Sequence, residues 1–106
     1  MSLFAVIRET GPRWDPAKPL REQAAWDEHA DFINAAADDG FVLLGGALGD
    51  GGSFLVIVNA HGEAEIRGRL DDDPWTGMEL LRIASLEPWE ILTGPDLVAA
   101  AKSSLT

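Results

Sequence analysis

His29 and Asp73 are the side chains of this chain best suited to work together as an acid and a base. Histidine has the side chain whose ordinary pKa lies nearest neutrality, so it can take or return a proton at physiological pH. A carboxylate beside it would fix the imidazole tautomer and favour the charged ring. Each residue also has a plain structural use. A histidine on an apolar helix face commonly packs in the core, and Asp-Pro within three consecutive aspartates commonly forms a solvated corner. The chemical reading requires Asp73 to point inward, beside the apolar ring of Trp75.

Whether the two can meet depends on the elements that carry them. At about 100° per residue, Asp27, Asp31, Asn34 and Asp38 fall on one side of a helix, and Ala25, His29, Ile33 and Ala36 on the other. That helix is predicted over about 20–39, with its amphipathic part at 26–37 and a stop at Asp39-Gly40. The apolar run 3–7 predicts a buried first strand, and 9–19 a loop rich in Pro and Gly that carries Arg13 and Trp14. Residues 41–48 and 53–58 predict two strands joined by the turn Gly49-Asp50-Gly51-Gly52. A second helix is expected from an Asn59 cap to about Leu70, ended by the aspartates and Pro74. The fourth strand is expected over 79–91, and a short alanine-rich helix over 96–104. The order β-α-β-β-α-β describes an α+β, ferredoxin-like fold with a four-stranded antiparallel sheet and both helices on one face. The other face would need a cover, and a second copy of the sheet is the natural candidate, so a homodimer through the sheet face is expected.

The bulk properties narrow the function. The chain has 106 residues, which suits one domain, with a core at about 3–93 and a tail at 95–106. Its hydrophobic content of 46%, with four Trp and four Phe, suits a globular core. Eighteen acidic residues against eight basic ones give a net charge of −10. Such a surface repels phosphate backbones and anionic lipid, so neither nucleic acid nor membrane is an expected partner. No apolar run approaches the roughly 20 residues of a membrane span. The start, Met1-Ser2-Leu3-Phe4, lacks the basic segment of a signal peptide, and cysteine is absent; a cytoplasmic location is the expectation.

Other chemistries find little support. There is no GxGxxG or Walker pattern, and two histidines far apart do not make a zinc site. His61 stands among polar residues and is expected to be exposed. Gly45-Gly46 either relieves crowding in the sheet or lets a ligand approach the backbone. Arg8, Arg13 and Arg82 could each grip a carboxylate ligand or simply serve the surface. The split βαβ order also builds RNA-recognition modules, but those display aromatic and basic sheet motifs that are absent here.

Three stretches together resemble the YCII-related family, a branch of the dimeric α/β-barrel proteins. They are Gln23-Ala24-Ala25-Trp26-Asp27-Glu28-His29-Ala30, then Gly40 with Leu43-Leu44-Gly45-Gly46-Ala47-Leu48, and Asp73-Pro74-Trp75. The resemblance spans about 3–93. Ala47 stands where the family often has Pro, and Trp75 where it often has Phe; neither change removes a polar group. The resemblance implies a ferredoxin-like fold, homodimers with packed sheets, and an active site of a histidine and an aspartate that map to His29 and Asp73. Some relatives are lyases or dehalogenases acting on muconolactone-like compounds.

The expected function is therefore a lyase, isomerase or dehydrochlorinase acting without a cofactor on a small carboxylate or lactone. His29 and Asp73 would be catalytic, and Arg13, Trp14, Gly46 and Trp75 would line the substrate site. No metal is expected. The alternatives are a dimeric module that only binds a small molecule, and a purely structural domain in which the pair satisfies itself.

Overall fold

Nine residues, Ser2–Thr10, form the first strand, β1. Their alternation buries Phe4, Val6 and Arg8 on one face, as the two-residue period of a strand requires. In the computed structural model, which describes residues 1–94, β1 is followed by a short 3-10 turn at Leu20–Glu22, helix α1 at Trp26–Asp38, and strands β2 at Val42–Leu48 and β3 at Ser53–Ala60. Helix α2 at Glu63–Asp71, the single turn α3 at Pro74–Gly77 and strand β4 at Leu81–Pro88 complete the order. The terminal helix expected over 96–104 lies outside the described residues.

The four strands form one sheet in the order β2-β3-β1-β4, with every neighbouring pair antiparallel. This is the α+β, ferredoxin-like arrangement expected from the element order. Ala36 of α1 and Ile66 and Leu70 of α2 share one buried cluster with Phe4, Val6, Val56 and Val58. Both helices therefore cover the same sheet face. A second cluster of Trp75, Leu80 and Leu81 packs against Trp14, Trp26 and Phe54. On the opposite face Ala5 is paired with Ile57 and Ile7 with Leu55 across β1 and β3.

Several boundaries differ from the sequence expectation, each for a local reason. The first helix does not begin at residue 20. Gln23 is buried, and its Nε2 donates to the carbonyls of Asp15 and Lys18 at 2.7 and 2.9 Å. Ala25 then takes a left-handed conformation with φ 57°, and the α-helix starts after it, with Asp27 and Glu28 in the first turn, where carboxylates complement the helix dipole. Asn59 does not cap α2. It remains in β3, its N–H donating to the Phe41 carbonyl at 2.8 Å, and α2 begins after Gly62. Strand β4 starts at Leu81 rather than Glu79, because Glu79 has φ 59° and the Leu80 carbonyl accepts the Gly11 N–H at 2.8 Å. A Cβ on Gly11 would lie 2.3 Å from the Glu79 carbonyl oxygen, so only glycine lets these two segments approach. No helix among the described residues is long and apolar enough to cross a membrane.

Candidate functional site

The Asp73 corner is built by the backbone before it does any chemistry. Asp73 caps α3 with extended dihedrals, and Pro74 occupies the first helical position, the place where a missing N–H costs nothing. Asp73 Oδ1 accepts the Trp75 N–H at 2.9 Å, which is the ordinary satisfaction of a helix N-terminus by a side-chain oxygen. The cap turns the carboxylate inward, where it is 1% exposed. The preceding aspartates, Asp71 and Asp72, are exposed.

His29, on the second turn of α1, meets that carboxylate. Its Nδ1 lies 2.8 Å from Asp73 Oδ2 and 3.0 Å from Oδ1, across 44 positions of sequence. The imidazole stacks on Trp75 with ring centroids 3.9 Å apart and planes 4° from parallel. Trp75 is itself held, its Nε1 donating to the Ala24 carbonyl at 2.6 Å. With Nδ1 committed to the carboxylate, the neutral ring carries its proton there and Nε2 is left as the basic nitrogen.

A third charged group completes the cluster. Arg8, only 2% exposed, donates from Nη1 to Asp73 Oδ2 at 2.9 Å and from Nη2 to Thr76 Oγ1 at 3.1 Å. The Thr76 hydroxyl in turn donates to the Leu70 carbonyl at 2.7 Å. Arg8 Nε is buried without a partner among the described residues, a deficit of about 1–3 kcal/mol for such a group. Burial alone would push the Asp73 carboxyl up. The hydrogen bonds from His29 and the Trp75 amide, the attraction of the His29 ring when it is protonated, and the Arg8 guanidinium outweigh it and hold the carboxyl below its usual range.

Beside the pair lies a cavity of about 630 Å³ between α1 and the β2–β3 side of the sheet, a size typical of small-molecule sites. Its walls are largely apolar, with Trp26 and Ile33 from α1, Val42 from β2, and Phe54 and Val56 from β3. Arg8, His29, Asn34 and Asp38 are its polar members. Among the described residues, no three His, Asp or Glu side chains gather as a metal site would require.

The residues expected to bind substrate separate into two groups. Gly46 and Trp75 line the cavity. Arg13 and Trp14 do not. The Arg13 side chain is 75% exposed and lies 3.4 Å from Glu79. Trp14 sits behind the site, edge-on to Trp75 with centroids 5.6 Å apart. Arg82 is likewise exposed and paired with Glu9, and His61 is exposed. Sequence reasoning did not select Arg8 over the other arginines, although its place in strand phase with Phe4 and Val6 was a usable signal. It also preferred Gly46 to Gly45. A bulge between Val42 and Leu44 shifts the phase of β2, so that Gly45 pairs with Val56 and Gly46 with Leu55. Gly45 is therefore the glycine whose absent side chain opens toward the cavity-lining Val56, 4.0 Å from its ideal Cβ.

No family model matches the chain, and no curated protein matches it in sequence. Among solved structures, it is similar to 5-chloro-2-hydroxyhydroquinone dehydrochlorinase from Burkholderia phenoliruptrix, determined in complex with 2,5-dihydroxybenzoquinone. The TM-score is 0.54 and the identity 20%, over 89% of this chain and 97% of that one. At that distance the two proteins have a fold in common.

Proposed function

We propose that the protein is a cofactor-independent acid–base enzyme of the lyase or isomerase type, acting on a small carboxylate or lactone held in the 630 Å³ cavity. The observation that carries this reading is the anchoring of His29 Nδ1 on the buried Asp73 carboxylate at the wall of an apolar cavity. Nε2 is then the nitrogen available to a substrate. In an elimination, Nε2 takes the proton from a carbon next to a carbonyl. The C–H electron pair forms the new C=C bond, and the leaving group departs with its own bonding pair. In an isomerisation the same nitrogen returns the proton at another carbon. Asp73 holds the ring and stabilises the imidazolium as it forms. The dehydrochlorinase activity of the structural neighbour is an elimination of this class.

The test is a screen of halogenated and hydroxylated small carboxylates, lactones and chlorinated hydroquinones, followed by His29→Ala. General acid–base catalysis contributes on the order of 10² to 10⁴ in rate, and the variant is expected to lose turnover by that factor while remaining folded. Turnover that survives His29→Ala would overturn the role. Saturable thermal stabilisation by a compound that is never converted would assign the cavity to binding alone.

The same reading has two copies packed through the outer sheet face. The partly exposed side chains Ala5, Ile7 and Leu55 on that face support it, since a domain of this size gains stability by burying more apolar surface.

A further inference from the structure

We propose that Arg8 is the positioning residue that sets the basicity of His29, by neutralising Asp73 at Oδ2, the oxygen that the imidazole also meets. The inference rests on the reading of His29 as the base. An Asp–His pair alone has a cost in a buried site. An unopposed carboxylate 2.8 Å from the ring favours the imidazolium, and a ring that already holds a proton on both nitrogens cannot accept one from a substrate. A guanidinium on the same carboxylate offsets that bias while the carboxylate still accepts from Nδ1–H.

The geometry matches this division of labour. Arg8 reaches Asp73 Oδ2 from β1 at 2.9 Å, and His29 reaches the same carboxylate from α1. The second arm of the guanidinium is tied to Thr76, and Thr76 to the end of α2, so the charge is fixed by the sheet and the α2–α3 corner together. The side chain is 2% exposed and Asp73 is 0% exposed in the ion pair, which leaves no solvent to screen the effect. Among the described residues that line the cavity, Arg8 and Asp38 are the ionisable groups besides His29. Residues of β2, β3 and β4 that line the cavity are uncharged, and α1 adds only Asp38, nine residues beyond His29, or about 13 Å along the helix.

The test is an NMR titration of the His29 ring nitrogens, which needs no substrate. In Arg8→Gln the midpoint should rise by about one pH unit or more, a tenfold gain in proton affinity, as expected when a buried carboxylate loses its counter-charge. In Arg8→Lys, which keeps the charge but not the fork, the midpoint should stay within about 0.3 unit of the wild type. An unchanged midpoint in folded Arg8→Gln would overturn the proposal. If that variant fails to fold, Arg8→Lys decides alone, and a rise of a full unit with the charge retained would overturn it. These outcomes are separate from the enzymatic reading, which fails when no compound is turned over by the wild-type chain.

Discussion

Asp73 makes a helix cap, a charge partner and a histidine anchor from one carboxylate. Its oxygens accept from the Trp75 amide, Arg8 and His29, and this explains why a group so deeply buried stays ionised. The depressed carboxyl makes stability depend on pH in a definite direction. A group with a lowered folded pKa contributes its full stabilisation above its unfolded value, about pH 3.9 for Asp, and loses it as pH falls through the lower folded value. Asp73→Asn should therefore be less stable than the wild type at pH 7, by about 3–5 kcal/mol because Arg8 loses its buried partner. Urea denaturation of both proteins across the acid range should show that gap narrowing below about pH 4. A gap that is constant with pH would mean that the carboxylate charge contributes nothing.

The elements position the site by small departures from regularity. Helix α1 begins after a left-handed Ala25, and this phase puts His29, Phe32 and Ala36 on the inner side. A single-turn helix, α3, aims Asp73. A bulge in β2 decides which glycine opens the cavity. The last point is testable. Gly45→Leu places a side chain toward Val56, where a Cβ has only ordinary contacts, at 3.8 and 4.0 Å. The variant should fold with less than about 1.5 kcal/mol of change and lose affinity for any cavity ligand at least tenfold in calorimetry. Gly46→Leu, which is paired with Leu55 on the other phase, should retain more of that affinity. Equal losses in the two would contradict the register.

At the scale of the whole molecule, the sheet has one face covered by helices and one lined by Ala5, Ile7, Leu55 and Ile57. With a net charge of −10, chance association is opposed by repulsion, so a stable pair would require that apolar face. Ile7→Glu puts a carboxylate at its centre, away from the His29 cluster. Light scattering should find the wild type as a dimer and the variant as a monomer. A monomeric wild type at micromolar concentration would remove the dimer proposal.

The element order and the inward aim of His29 were legible in the sequence because period and punctuation are local: a two-residue repeat in 3–7, a 3.6-residue repeat in 26–37, and Gly or Pro between them. The start of the first helix, the α3 turn and the phase of β2 were not. Each depends on a particular hydrogen bond or residue conformation that leaves no mark in hydrophobic period, such as the Gln23 side chain on the Asp15 and Lys18 carbonyls. Arg8 shows the limit most plainly. Its spacing from Phe4 and Val6 placed it on the inner face of β1, but one strand cannot tell which charge lies across the core. Residue type and local period determined which side chains carry chemistry here. Only the tertiary structure decided that Arg8, His29 and Asp73 share one buried point, because the α1 helix, the sheet and the α2–α3 corner converge there through contacts far apart in the chain.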